Sequence, residues 1–166
     1  MKLRQIGNTP LKVSTVGLGC NNFGLRIDRG EPSRAVIHKA LDLGITFFDT
    51  ADVYGHRGGS ETALGQYLGV RRKDIVVASK FGNVMDDAGL MKGASRRYIV
   101  SAVEASLKRL KTDWIDIYQL HRFDPRSQLL AVGLSGFRFE QHMHDAAVGA
   151  HRLVQSRQCG RVYGVS

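Results

Sequence analysis

The sequence has few residues of several informative types: two cysteines, three prolines and one tryptophan among 166 residues. Cys20 and Cys159 are too few and too far apart to build a disulfide framework. No stretch approaches the roughly 18 consecutive apolar residues that a membrane span requires. The charged N-terminal residues are not followed by the apolar run of a secretory signal. We therefore expect a cytoplasmic protein without a membrane partner.

Acidic residues are also scarce, because 15 Asp and Glu stand against 24 Lys and Arg, giving a net charge of +9. Such an excess is compatible with binding to nucleic acid or to a small anionic ligand. The basic residues are scattered, however, and no aromatic residues alternate with them. This pattern favours solvated surfaces, so we predict no nucleic-acid partner and keep such binding as the weakest alternative.

The chain is long enough, and at 43% hydrophobic residues apolar enough, for one domain with a real core. Residues 3–20 alternate apolar and polar positions around Gly7-Asn8-Thr9-Pro10, which predicts a β-hairpin followed directly by a further strand. A helix is predicted to begin at Glu31 and to end at Gly44. Its predicted apolar face consists of Ala35, Val36, Ala40 and Leu41.

Strand-like and helix-like segments then alternate along the chain. Predicted strands are the apolar runs "GITFFDTA" (44–51), "DIVVASK" (74–80), "WIDIYQLH" (114–121) and "RVYGVS" (161–166). Between them, Ser60 is predicted to cap a helix over 61–68, and Ser95 to begin a second helix. This alternation is typical of a parallel sheet, which leaves an open doubly wound sheet or part of an eight-stranded barrel as alternatives.

The segment 127–142 interrupts this alternation, since it has no clean helical period, and we interpret it as an irregular insert. Four histidine or cysteine residues lie at its end and beyond: His142, His144, His151 and Cys159. Their spacing matches no common zinc pattern. We predict no metal site.

Titratable side chains stand where the apolar strands end. Asp49, Lys80 and His121 end three successive predicted strands, and Tyr54 follows five residues after Asp49. Taken singly, each has an ordinary explanation, such as a turn former, a solvated strand end or a hydrogen-bonded core histidine. Parallel strands bring their carboxyl ends together, and ligands bind at that edge. The four residues together therefore predict a functional site.

Several segments resemble the aldo-keto reductase family: "FFDTADVYG", "ASKFG", "SRRYIVSAVEASLKRLKTDWIDIYQLHRFDP" and "GRVYGVS". The resemblance covers nearly all of residues 1–125 and resumes near Leu153. It implies a (β/α)8 TIM barrel whose bottom is closed by an N-terminal hairpin. This chain would supply the first five strands of that barrel.

The resemblance also implies a reaction: reduction of an aldehyde or ketone to an alcohol, with NADPH as the hydride donor and NADH as the alternative. The family's catalytic group maps onto Asp49, Tyr54, Lys80 and His121, with Tyr54 as the proton donor. Cofactor contacts map onto Gly19, Cys20, Asn21, Asp49 and Ser166.

Five strands of an expected eight would make residues 1–166 a single incomplete barrel domain, with weakened cofactor binding and impaired activity. Unpaired barrel edges would also be exposed and could drive self-association. The alternative function is therefore non-catalytic: a half-barrel that pairs with itself or acts as a regulatory subunit.

Overall fold

The computed structural model describes residues 1–122, and they begin with an antiparallel hairpin. Strands β1 (Leu3–Gln5) and β2 (Lys12–Ser14) pair around a turn in which Gly7 has a φ of +51°. Ile6 and Val13 from the hairpin pack against Val76, together with Phe47 and Ile117. These last three residues begin strands of the main sheet, so the predicted hairpin is confirmed and lies across the amino-terminal end of that sheet.

The main sheet contains four parallel strands: β3 (Gly17–Gly19), β4 (Phe47–Asp49), β5 (Val76–Phe81) and β6 (Ile117–Leu120). Their order in the sheet is their order in the chain. An open doubly wound sheet reverses its strand order at a switch point. No such reversal occurs within residues 1–122, which agrees with the first strands of a barrel.

Helices α1 (Glu31–Asp42), α2 (Tyr54–Tyr67) and α3 (Arg96–Leu110) connect successive strands, and a 3₁₀ helix (Gly69–Asp74) leads into β5. Helix α2 contacts both α1 and α3, so the three helices form one layer. Between this layer and the sheet lies an apolar core whose fully enclosed members include Phe23, Ile37, Phe48, Leu64 and Val77.

Of the two serines predicted to cap helices, Ser95 does so and Ser60 does not. Ser95 caps α3 as expected, because its Oγ accepts a hydrogen bond of 3.3 Å from the backbone N of Tyr98. Ser60 is not a cap: it lies within α2, where its buried hydroxyl donates to the carbonyl oxygen of Cys20. The buried hydroxyl is thus satisfied by core partners and not by the backbone at a helix start.

The predicted apolar face of α1 is partly wrong. Ala40 and Leu41 are buried as expected, whereas Ala35 and Val36 are exposed. Ile37 faces the core instead, one residue further along the helix. The predicted strand at 161–166 and the irregular insert at 127–142 lie outside the described residues.

Helices α2 and α3 approach closely at Gly65. A Cβ atom added there would lie 2.2 Å from the backbone oxygen of Arg109 and 2.6 Å from the carbonyl carbon of Leu110. These atoms belong to a helix backbone, which cannot shift without moving α3. Glycine at this position thus sets the distance between two helices behind the sheet.

Gly65→Ala should lower the free energy of unfolding by about 1–3 kcal/mol or more, because an overpacked contact forces the backbones apart. Urea denaturation followed by circular dichroism measures this change. Gly19→Ala is the matched control, since a Cβ there would meet nothing within 4 Å. Equal stability of the two variants would contradict the close contact.

Candidate active site

The register of the parallel strands brings the predicted site residues to one edge of the sheet. Asp49 is the last residue of β4, Lys80 lies next to the end of β5, and His121 follows β6. Asp49 pairs in register with Gly19 on one side and with Ala78 on the other. Their carboxyl ends therefore meet, as the sequence predicted.

Lys80 is the best-held residue of the group and is only 9% exposed. Its Nζ donates to Oδ1 of Asp49 at 2.7 Å and to the backbone oxygen of Thr50 at 2.9 Å. A lysine ammonium removed from water needs such charged and polar partners to remain charged. Asp49 and Thr50 thus fix a cation at the carboxyl end of the sheet.

The chain after β4 keeps its pairing with β5, which determines where Tyr54 lies. The backbone N of Thr50 donates to Ala78 O at 2.8 Å, and that of Asp52 donates to Lys80 O at 2.9 Å. Tyr54 then begins α2, with its ring centroid 5.2 Å from Nζ of Lys80. This distance allows a cation–π contact and places the phenol beside the ammonium.

A left-handed turn follows Tyr54. The φ angles of Gly55, His56, Arg57 and Gly58 are +68°, +59°, +65° and +115°. Two of these residues carry side chains, for which this conformation is unfavourable. A Cβ at Gly55 would lie 2.3 Å from the oxygen of Phe23, so close packing enforces the glycine. The turn separates Tyr54 from the right-handed part of α2.

His121 completes the group. Its ring lies edge-on to that of Tyr54, with centroids 5.5 Å apart and an interplanar angle of 86°. Burial lowers the pKa of its imidazole, as do the charges of Lys80 and Arg122, while Asp49 acts in the opposite direction. The ring is therefore neutral at physiological pH. The structure brings all four predicted catalytic residues together.

The predicted cofactor contacts are only partly placed for such a role. Gly19 ends β3 and Asn21 lies two residues beyond it; both are exposed, and a Cβ at Gly19 would meet nothing within 4 Å. Cys20 differs from the prediction: it is completely buried, and this burial raises the pKa of its thiol. Its side chain belongs to the core. Ser166 lies outside the described residues.

Sequence reasoning missed a second buried polar cluster behind the sheet. Glu61 of α2 is completely buried; it accepts hydrogen bonds from Oγ of Ser79 and, at 2.7 Å, from Nε of Arg109. Ser79 precedes Lys80 on β5, so side chains alternate between the helix layer and the site. In the sequence, the only sign of this cluster is one acidic and one basic residue in predicted helices, Glu61 and Arg109, which are 48 residues apart.

Within residues 1–122, no group of three or more His, Cys, Asp or Glu side chains could hold a metal ion. In that same part of the chain, no helix is both long and apolar enough to cross a membrane.

A sheet of this order, covered by one helix layer and carrying polar groups at its carboxyl ends, is the arrangement of a barrel with a ligand site. Residues 15–152 match the family model described as the Aldo/keto reductase family. The chain belongs to the aldo-keto reductase family.

Individual relatives agree with this assignment. The chain is 43% identical over 123 residues to the uncharacterized oxidoreductase YqkF of Bacillus subtilis (strain 168), covering 73% of this chain and 39% of that protein. It is 39% identical over 131 residues to a probable voltage-gated potassium channel subunit beta of Arabidopsis thaliana, covering 75% of this chain and 38% of that protein.

The solved structure of aldo-keto reductase AKR11C1 from Bacillus halodurans (holo form) superimposes with a TM-score of 0.65 at 42% identity. The match covers 72% of this chain and 40% of that structure. This match confirms the prediction of a partial (β/α)8 barrel rather than an open doubly wound sheet, and residues 1–122 contain four of its parallel strands without forming a closed barrel. The chain spans about two-fifths of the length of these relatives.

Asp52→Asn should stabilise the chain more at pH 8 than at pH 5. Burial and the charge of Glu61 raise the pKa of Asp52 to about 7, whereas an unfolded chain has a value of about 3.9. Between these values the folded state keeps a proton that the unfolded state has lost. Stability therefore falls as pH rises from about 4 to about 7, and the loss is complete above that range.

Urea unfolding at both pH values measures this effect. The gain from Asp52→Asn should be about 2–3 kcal/mol larger at pH 8 than at pH 5. The control is Asp28→Asn at an exposed position, which should change stability by no more than about 0.5 kcal/mol at either pH. An equal gain at both pH values would show that Asp52 is charged throughout.

Proposed function

We propose that this chain reduces an aldehyde or ketone to the alcohol, with NADPH as the preferred hydride donor and NADH as the weaker one. One observation carries the proposal: Tyr54, His121 and a Lys80 ammonium held by Asp49 converge at the carboxyl edge of the sheet. We place this activity in the cytoplasm, in line with the few cysteines of the chain.

Tyr54 is the proposed proton donor. A nearby ammonium stabilises the negative charge that develops on the phenol oxygen when it gives its proton to the substrate. Lys80 lies close enough for this role, 5.2 Å from the ring centroid, and its two acceptors hold it there. Asp49 is thus a positioning residue for Lys80.

His121 is the proposed hydrogen-bond donor to the substrate oxygen. A donor aimed at the oxygen stabilises the negative charge that develops when the carbonyl is reduced. A neutral imidazole has one N–H for this purpose, and the lowered pKa of His121 keeps the ring neutral. Its ring lies edge-on to that of Tyr54, with the ring centroids 5.5 Å apart, which supports donation by both residues to one substrate.

The balance of the reaction is simple. When bound, a reduced nicotinamide would supply the hydride to the carbonyl carbon. The carbonyl π electrons move to the oxygen, which takes the proton from Oη of Tyr54, and solvent later returns a proton to the phenolate. A well-positioned proton donor of this kind contributes about 10²–10⁴-fold in rate.

We propose that the cofactor contacts within residues 1–122 lie at the reactive end of the nicotinamide. Gly19, Asn21 and Asp49 border an open surface next to Lys80, and the proposed contact at Ser166 lies outside residues 1–122. The backbone of Cys20 donates its N–H to Asp49 at 2.8 Å, which ties this border to the catalytic pair. We propose that the 166 residues alone hold the cofactor weakly and turn over slowly.

Tyr54→Phe should lower the rate of aldehyde reduction by about a hundredfold or more, because the variant lacks the proton donor. NADPH consumption and alcohol formation are measured together at saturating NADPH. Binding of NADPH, followed by nucleotide fluorescence, should be unchanged.

The matched control is Tyr67→Phe, the same chemical change in the last turn of α2, which should keep the wild-type rate. A Tyr54→Phe variant as active as wild type would overturn the proposed role of Tyr54. Absence of any carbonyl reduction by the wild-type chain would overturn the proposed function.

A second candidate function is that of a non-catalytic subunit that binds itself or another chain. Two observations favour it: a relative is described as a probable potassium channel subunit beta, and within residues 1–122 strands β3 and β6 each pair on one side only. Light scattering distinguishes the functions. A monodisperse dimer without turnover supports the second, whereas a monomer that reduces aldehydes excludes it.

A further inference from the structure

Asn83 contacts the imidazole ring of His121. The distance between Nδ2 of Asn83 and Nδ1 of His121 is 2.9 Å, within hydrogen-bond range. An amide nitrogen only donates, so Nδ1 is the acceptor in this contact. In a neutral imidazole the other nitrogen then carries the proton. The contact selects the ring with hydrogen on Nε2.

The backbone of Asn83 is held directly after β5. Gly82 turns the chain with a φ of +108°, and a Cβ there would lie 2.8 Å from Cδ1 of Leu120, so the turn requires glycine. The backbone N of Gly93 donates to Gly82 O at 3.0 Å. The hydroxyl of Tyr98 donates to Asn83 O at 3.5 Å. Asn83 is thus fixed at a strand end.

The backbone of His121 is held in the same way. Its N–H donates to Phe81 O at 2.8 Å, which continues the pairing of β5 and β6 by one residue. Asn83 and His121 therefore extend from the ends of two neighbouring strands. Their side chains meet because the sheet brings them together, without help from the substrate.

We propose that Asn83 is a positioning residue that holds His121 with its proton on Nε2, so that this N–H is free to bind the oxygen of the carbonyl substrate. The tautomer of His121 does not depend on the proposed function, whereas the effect of Asn83 on the reaction rate rests on it. With the opposite tautomer, the amide of Asn83 would have to turn so that its Oδ1 accepts from Nδ1–H of His121, and the substrate would meet the lone pair on Nε2.

The position of the ring proton is important because His121 is neutral. Within residues 1–122, the charged or titratable groups around the ring are Lys80, Asp49, Tyr54 and Arg122. Burial and the two cations lower the pKa of His121, and Asp49 opposes them. The ring therefore carries a single proton at neutral pH, and only its position decides whether it can donate to a substrate.

Long-range ¹H–¹⁵N NMR of the full chain, labelled at histidine, reads the tautomer without any turnover. The His121 signal is identified by its loss in His121→Gln. We expect Nε2 of His121 to be protonated and Nδ1 to be unprotonated at pH 8. A protonated Nδ1 in the wild-type chain would overturn the proposal.

Asn83→Asp is the most informative variant, because it keeps the shape of the side chain and replaces a donor by an acceptor. We expect the proton to move to Nδ1 and the pKa of His121 to rise, since a carboxylate favours the imidazolium. Asn8→Asp makes the same change in the exposed hairpin turn and should leave His121 unaltered. An unchanged tautomer and pKa in Asn83→Asp would overturn the proposal.

Kinetics then test the consequence for the reaction. Asn83→Asp should lower kcat/KM for aldehyde reduction at pH 8 by on the order of a hundredfold, comparable to losing a donor to the substrate oxygen. If the expected tautomer is found but the wild-type chain reduces no aldehyde, the proposed function fails and the role of Asn83 stands. Full activity in Asn83→Asp with a reversed tautomer would overturn the link to catalysis.

Discussion

The ion pair between Lys80 and Asp49 is the interaction on which the site depends. It joins neighbouring strands at their carboxyl ends, with an N–O distance of 2.7 Å and a lysine side chain that is 11% exposed. Burying these charges costs free energy, which short contacts to Asp49 and to Thr50 O offset. Residues 50–52 continue the pairing with β5, and this pairing brings Tyr54 close to the ammonium of Lys80. Sheet register thus determines the spacing of the proposed acid and its cation.

The helix layer supports the site through the other face of β5. Ser79 points to completely buried Glu61, whereas its neighbour Lys80 points to the site. Glu61 also binds Arg109, against which Gly58 of the left-handed turn is packed. Removing one member of such a buried pair typically costs about 3–5 kcal/mol. The Glu61–Arg109 pair therefore lies behind β5, where it binds Ser79, and against the left-handed turn that follows Tyr54.

The sequence predicted the parallel strands and the residues that end them, because apolar runs stopping at Asp49, Lys80 or His121 form a local pattern. The left-handed turn after Tyr54 was not predictable, since His56 and Arg57 adopt φ values of +59° and +65°, which residues with side chains rarely adopt. Asn83, Glu61 and the core position of Cys20 also escaped prediction. Their partners are distant in the chain, and no local periodicity reports such contacts.

We propose that Asp49 acts by holding Lys80. This role can be tested by a double-mutant cycle with Asp49→Asn and Lys80→Met, in which kcat for aldehyde reduction is measured at saturating NADPH. We expect the double variant to lose no more activity than Lys80→Met alone, because the effects of residues that act as a unit are not additive. Losses that multiply would show that Asp49 acts independently of Lys80 and would overturn this role.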